Sequence, residues 1–357
     1  MDKYKIALIP GDGIGVEEIE EGVKVLKTAE EIDGGFKIEY THLPWSCQYY
    51  LKTGKMIPDD GIKILSDHDA IYMGAVGFPG VPDHVSLWGL LLPIRFEFDE
   101  YVNLRPVKLL RGIQGPLRKK PDEIDCVFVR ENVEGEYAGA GGRLHRHSSE
   151  EVAIQTSIFT RQGTERVMRY AFELARKRKR NLISVTKSNA LNYSMVFWDE
   201  VFEEVRNDYS DVNSKHMHVD AMAGHLVLHP EQLDVIVASN LFGDILTDLG
   251  AAIQGSIGMA AGGNINPEKK YPSMFEPIGG SAPDIAGKGI ANPIGAIWAA
   301  SMMLDFLGES ESAKLILESI EDVTEEGRHL TPDVGGHATT QEVGEAIRDK
   351  MKEKSAK

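Results

Sequence analysis

Residues Lys3 to Leu26 read KYKIALIPGDGIGVEEIEEGVKVL, and this stretch decides the fold class. Lys3 to Ile9 has the short, apolar-ending pattern of a β-strand. A glycine turn follows at Gly11-Asp12-Gly13-Ile14-Gly15. Val16, Ile19, Val23 and Leu26 then recur at helical spacing. Gly11-x-Gly13 between a strand and a helix invites comparison with a dinucleotide-binding turn, but the third glycine of that fingerprint falls on Val16 and Gly15 is out of register. The expectation is therefore a sharp turn that aims backbone N–H groups at a ligand.

Lys37–His42 reads as a second strand, and Ala70–Val76 as a third that is apolar enough to be buried on both faces. Further strands are expected at Asp125–Arg130, Val152–Phe159, Leu182–Thr186, His216–Met222 and Val235–Ser239, mostly separated by helical segments. Such alternation predicts an α/β protein with a largely parallel sheet. Gly139–Ser149 reads as a loop or as an arm toward a partner subunit, and Gly255–Asn292, dense in glycine and proline, as a long binding loop instead of packed structure. The last sixty residues return to helical periodicity. A chain of 357 residues favours two domains, and without a visible linker those domains are expected to be discontinuous.

A net charge of −16 argues against nucleic acid as the main partner. The one basic run, Arg176–Arg180, is read as the close of an amphipathic helix carrying Val167, Ala171, Leu174 and Ala175. Two cysteines, Cys47 and Cys126, are too few for a disulfide framework, no apolar run reaches membrane-spanning length, and the first residues have no signal-peptide layout. A cytoplasmic protein without membrane partners is expected.

The strongest local signal is Asn240-Leu241-Phe242-Gly243-Asp244-Ile245-Leu246-Thr247-Asp248. Asp244 and Asp248 share one helix face, one turn apart, and repel unless a cation sits between them. Hard oxygen ligands suit Mg2+ or Mn2+. Phe242, Ile245, Leu246 and Leu249 suggest that this helix is largely buried, where unpaired carboxylates are costly. Asp220 offers a third carboxylate at a strand end. Arg95, Arg105 and Arg130 carry guanidinium forks suited to carboxylates; Pro93 would place Arg95 near a helix N-terminus. Tyr137 could donate a proton, and Lys187, if desolvated, could act as a base. His145-x-His147 is read as loop decoration and His216-x-His218 as strand side chains.

Together these segments resemble the β-decarboxylating dehydrogenases, the family of isocitrate, 3-isopropylmalate, and tartrate or D-malate enzymes. The likeness runs over essentially the whole chain. It is carried by Ile9–Gly15, Asn103–Pro106, Val129–Asn132 with Glu134–Tyr137, Asn240–Asp248, Phe275–Pro277 and Gly280–Gly289. It implies an isopropylmalate dehydrogenase-like fold, with two discontinuous domains sharing a large, mainly parallel, mixed sheet. Residues 1–100 and 255–357 would bind the cofactor. Residues 101–254 would hold substrate and metal and make a homodimer, with an arm near 138–158.

By the same resemblance, Arg95, Arg105 and Arg130 would bind the substrate carboxylates, and Asp220, Asp244 and Asp248 the Mg2+ or Mn2+. Tyr137, Lys187 and Asp220 would be catalytic, with Lys187 and Asp220 supplied by the second subunit. Gly280, Ser281, Ala282, Asp284, Ile285 and Asn292 would bind the cofactor. Asp284 and Ile285 stand where NADP-using relatives carry lysine and tyrosine, which implies NAD. A monovalent cation such as K+ is a further implication. Gly279 departs from the histidine usual before Gly-Ser-Ala-Pro and removes a ring from beside the adenine. Isocitrate is disfavoured because no serine–asparagine pair lies between Trp88 and Arg95. Leu90–Leu92 partly imitate isopropylmalate enzymes, while Ser86–Gly89, Tyr101–Asn103 and Ala238–Leu241 look most like tartrate or D-malate enzymes. The expected activity is oxidative decarboxylation of D-malate or tartrate, with 3-isopropylmalate dehydrogenase and a non-catalytic regulatory homologue as alternatives.

Overall fold

The computed structural model describes residues 1–356. In chain order the elements are β1 (Asp2–Ile9), α1 (Gly15–Asp33), β2 (Phe36–His42), α2 (Cys47–Thr53), α3 (Gly61–Ser66), β3 (Ala70–Met73), α4 (Asp83–Ser86), α5 (Leu92–Glu97), β4 (Val102–Lys108), β5 (Asp125–Glu131), β6 (Gly135–Leu144) and β7 (Val152–Ile158). There follow α6 (Arg161–Lys177), β8 (Asn181–Thr186), α7 (Ser194–Arg206), β9 (Asn213–His218), α8 (Val219–Leu228), β10 (Val235–Ala238), α9 (Asn240–Ile253), β11 (Ala261–Ile265), β12 (Ser273–Pro277), α10 (Ile294–Leu307), α11 (Ser310–Glu326) and α12 (Thr340–Ser355). The mixed, mainly parallel sheet expected from the sequence is present.

Contacts divide the chain into two compact units. One comprises Met1–Glu100, Lys108–Glu123 and Ala251–Lys357; the other comprises Tyr101–Val107 and Ile124–Gly250. In the first unit the strand order is β2-β1-β3-β12-β11. β1 runs parallel to β2 and β3, β12 parallel to β3, and β11 antiparallel to β12. α10 is apolar all round and buried, packing on β11, β12, α1 and α11, as a helix without a polar face must.

Several expectations for this unit need correcting. β3 stops at Met73 because the next residues turn away: the carbonyl of Ala75 accepts the Asp12 N–H. The buried face of α1 is built by Ile19, Gly22, Val25, Leu26 and Ala29, while Val16 is 51% exposed. Residues 255–292 are not one loop, since β11 and β12 lie within them. Gly263 hides that strand from a hydrophobicity reading; a Cβ there would press on the Phe275 ring at 3.0 Å.

The second unit orders its strands β4-β5-β10-β8-β9, with β5, β10, β8 and β9 parallel. α6 packs on β5, β8, β10 and α7. β4 was not legible in the sequence, since Asn103, Arg105 and Pro106 break its apolar pattern. The strand expected at His216–Met222 ends at His218, where α8 begins and takes Asp220 into its first turn, the end of a helix that favours negative charge. β6 and β7 form an antiparallel hairpin that absorbs half of the segment read as a loop, with His145 and His147 at its tip. The basic run does close α6; Arg176 pairs with Asp211 and Arg178 with Asp125 and Asp234. No helix among the described residues is long and apolar enough to cross a membrane.

The glycine turn is held by backbone sterics. Gly11 has φ 75°, and a Cβ there would run into the Ala75 carbonyl. Gly11→Ala should lower stability by about 3 kcal/mol or more in urea titration; a variant as stable as the parent would remove this constraint.

Candidate active site

Three of the five N–H groups of the glycine turn bond inside the protein. Those of Asp12, Ile14 and Gly15 go to the carbonyls of Ala75, Ser281 and Asp12. For these three the expectation that the turn aims N–H groups at a ligand is corrected. Asp12 is fully buried, and its carboxylate accepts from the backbone N–H groups of Cys47, Gln48 and Gly77. The turn is a brace for the loop around Ser281.

That loop belongs to the same unit and carries the expected cofactor residues. Gly280, Gly287 and Gly289 all have positive φ, and a Cβ on any of them would project into open space. Ala282 also takes positive φ, 36°, a strained conformation for a residue with a side chain. Asp284 is exposed and Ile285 half-buried. Asn292 is buried: its amide donates to Asp333 at 3.0 Å and its oxygen accepts the N–H of Ile294, at the start of α10. An outward carboxylate on a glycine-shaped loop suits a ligand with vicinal hydroxyls.

Arg95 lies in the first unit, buried, and donates to Glu276 at 3.2 Å; Asn264 donates to the same oxygen at 2.8 Å. It does not sit near a helix N-terminus. The stretch Leu87–Leu91 is a π-helical turn that joins α4 to α5, so the backbone stays helical from Asp83 onward. Pro93 therefore falls within a continuous helical run. The same turn leaves Trp88 44% exposed while Leu90 and Leu92 are buried in the core.

The second unit gathers the remaining chemistry on one carboxylate. Arg105 on β4 and Arg130 on β5 occupy neighbouring strands, and both reach the N-terminal half of α9. Arg130 Nη1 donates to Asp244 Oδ1 at 2.5 Å, and Arg105 Nη1 reaches the same oxygen at 3.4 Å. Tyr137, on β6, donates its hydroxyl to Asp244 Oδ2 at 2.8 Å. Arg105 also donates to Thr247 at 2.6 Å. Both arginines are nearly buried, whereas Asp244 is about a third exposed. Gly243 is what allows this: a Cβ there would strike Cβ and Cγ of Arg130.

Asp248, one turn on, is exposed as a residue. Partial desolvation of its carboxyl, and then the nearby Asp244 charge, raise its pKa against the lowering pull of Arg105 and Arg130. α9 is less buried than its apolar residues suggest. Leu246 is buried, Phe242 and Leu249 are half-buried, and Ile245 is 59% exposed.

Lys187, just beyond β8, donates to Asp220 Oδ1 at 2.7 Å, which holds the Asp220 carboxyl below its ordinary range. Lys187 is half-buried in this pair, not desolvated among apolar residues. Neither residue bonds to a member of the Asp244 cluster, and no group of three metal-ligating side chains occurs among the described residues. One chain thus brings together Arg105, Arg130, Tyr137, Asp244 and Asp248, and holds Lys187 with Asp220 separately.

Sequence reasoning gave no role to Glu131, Glu134, Asn240 or Thr247. Glu131 ends β5, buried, and accepts the N–H groups of Val133 and Glu134. Desolvation raises its pKa to about 7 against the lowering effect of those two N–H groups. A glutamate beside Arg130 at the end of a buried strand was the available signal.

The description of the matching family model is "Isocitrate/isopropylmalate dehydrogenase", and the match covers residues 5–347. The chain is 54% identical to a Bacillus subtilis protein named "Probable tartrate dehydrogenase/decarboxylase", over 99% of each chain. It is 52% identical to the Escherichia coli "D-malate dehydrogenase [decarboxylating]", over 97% of this chain and 98% of that one. The crystal structure of an isocitrate dehydrogenase from Methylococcus capsulatus superposes with a TM-score of 0.88 at 33% identity, covering 98% of this chain and 99% of that one.

Glu131 makes stability depend on pH. Below pH 4.5 its carboxyl is protonated in folded and unfolded chains alike, and its contribution is fully present. As pH rises through about 7 the folded chain must carry a buried charge, a loss of roughly 3 kcal/mol. Glu131→Gln should therefore melt above the wild type at pH 8 and converge with it near pH 4.5; parallel melting profiles would contradict this.

Proposed function

The chain belongs to the isocitrate/isopropylmalate dehydrogenase family, and from that premise we propose that it catalyses NAD- and divalent-metal-dependent oxidative decarboxylation of D-malate or tartrate. The observation that carries this reading is the convergence of Arg130, Arg105 and Tyr137 on Asp244, with Asp248 one turn on.

The charges support it. Two arginines face two aspartates, so the cluster is close to neutral before any ligand enters. A dicarboxylate dianion together with a divalent cation preserves that balance. This is how a chain of net charge −16 can admit an anion. Asp244 and Asp248 supply hard oxygen donors of the type Mg2+ or Mn2+ takes, and Asp220 of a second copy would complete the set. Asp284 fits the ribose hydroxyls of NAD and repels a 2′-phosphate. When bound, the cation supplies Lewis-acid chemistry at the substrate oxygens, and NAD the hydride acceptor.

The protein's own groups do the rest. Arg105 and Arg130 hold a carboxylate of the substrate by their planar forks, and Arg95 is proposed as the third of the set. Lys187 accepts the C2 hydroxyl proton as hydride leaves C2. After CO2 departs, Tyr137 delivers a proton to C3. By the family resemblance Trp88, which is 44% exposed, would limit the space at C3, and of the leucines that partly imitate isopropylmalate enzymes Leu90 and Leu92 are buried and Leu91 half-buried. That favours D-malate or tartrate over 3-isopropylmalate.

A homodimer with shared sites, in a cytoplasmic setting, completes the proposal. Its support is the separation of Lys187–Asp220 from the Asp244 cluster and the apolar surface of the second unit. Leu144, Val152 and Ile154 on the arm, Leu228 on α8 and Ile245 on α9 are all exposed.

With NAD and Mn2+, the highest kcat/KM in a panel of D-malate, tartrate, 3-isopropylmalate and isocitrate should fall on D-malate or tartrate. Asp244→Asn should lower it by at least about a hundredfold. A maximum on 3-isopropylmalate would refute the substrate assignment, and no NADH from any substrate would refute the reaction. Tyr137→Phe and Lys187→Ala should each be impaired alone. Mixed and re-equilibrated, they should recover roughly a quarter of wild-type activity, because one site in each mixed dimer is intact. No recovery despite demonstrated subunit exchange would exclude shared sites.

A further inference from the structure

Asn240 opens α9 and is wholly buried. Its side-chain oxygen accepts from Arg130 Nη2 at 2.7 Å and Nε at 3.2 Å, and its main-chain carbonyl also accepts from Nε, at 2.8 Å. Its amide nitrogen donates to the carbonyl of Glu134 at 3.1 Å. From Glu134 the chain passes through Gly135, at φ 73°, into β6. A Cβ at Gly135 would lie 3.2 Å from the Asn240 Cβ, so the two backbones meet closely here. Two residues on, Tyr137 donates to Asp244, which also receives Arg130. The path closes: Asn240, Arg130, Asp244, Tyr137, the start of β6, Glu134, and Asn240 again.

We propose that Asn240 is a positioning residue that fixes the Arg130 fork and the Tyr137 hydroxyl in one register on Asp244. The inference rests on the reaction assigned above. Its physical basis is that this side chain must present an acceptor to a guanidinium and a donor to a carbonyl at the same place, which a primary amide does. Aspartate keeps the acceptor for Arg130 but turns an oxygen toward the Glu134 carbonyl, breaking that side of the ring. Alanine removes both sides. Glu134 is anchored in turn, since its carboxylate accepts the N–H of Thr160 at 2.8 Å and the Thr160 hydroxyl at 2.5 Å, at the start of α6. The entry to β6 is therefore tied at the Glu134 side chain and at the Asn240 amide. An error of about 1 Å in a reacting group costs on the order of a hundredfold in rate.

The test uses full-length protein labelled with 13C at the tyrosine ζ carbon, without metal or substrate. The Tyr137 signal is assigned by its loss in Tyr137→Phe. Asn240→Ala and Asn240→Asp should both move it toward the position of an exposed tyrosine. With D-malate, NAD and Mn2+, Asn240→Ala should lose about a hundredfold in kcat/KM, with KM raised. Asn240→Asp should lose kcat with a smaller change in KM, because Arg130 keeps its acceptor. If Asn240→Ala does not fold, Asn240→Asp carries the test. An unmoved Tyr137 signal in a folded variant, or a moved signal with unchanged kcat/KM, overturns the proposal. The spectroscopic arm needs no substrate, so failure of the reaction assignment would appear separately, as an inactive wild type whose Tyr137 signal still responds to Asn240.

Discussion

The second unit is organised around one carboxylate. Asp244 takes two guanidinium groups on one oxygen and a phenol on the other; the guanidinium groups lie almost entirely out of water, while the carboxylate stays about a third exposed. Burying Arg130 to 2% exposure without partners would be prohibitive; removing one partner from such a pair typically costs about 3–5 kcal/mol. Asp244 therefore does two things. It neutralises the arginines carried by the neighbouring strands β4 and β5, and it holds a tyrosine hydroxyl beside them. Charge pairing that stabilises the fold and charge placement that would serve the proposed chemistry are the same contacts.

Much of the surrounding sequence follows from that constraint. Gly243 has no side chain because Arg130 occupies the space. Thr247 faces inward to take the Arg105 donor at 2.6 Å. Asp248 is left beside a like charge in a partly desolvated setting, which raises its pKa. A carboxyl in that position gains from any cation that arrives. The first unit solves a different problem, bracing an exposed glycine loop from behind with the turn at Gly11–Gly15.

The strand–turn–helix opening, the parallel strands and the C-terminal helices were legible because they bury continuous apolar faces. The strands that escaped notice owe their stability to something other than periodicity. β4 carries arginine, asparagine and proline, and β11 is small enough to admit the Phe275 ring. The boundary at His218 was missed because a helix can begin directly on the last residue of a strand, and hydrophobicity does not mark that junction. Among the site residues, the spacing of Asp244 and Asp248 was readable from helix geometry. The partners of Asp244 were not, since Arg105, Arg130 and Tyr137 come from three different strands. Asn240 and Glu131 had no visible role because each acts on backbone atoms or on another side chain.

Binding of a divalent cation by the carboxylate pair of α9 is the step on which the proposed reaction turns. Electron paramagnetic resonance of Mn2+, titrated into the protein with D-malate present, reads this directly through loss of the free-ion signal. One equivalent per chain should be bound, and Asp248→Asn should release it. A free-ion signal that rises from the first addition in the wild type would contradict the account at its centre.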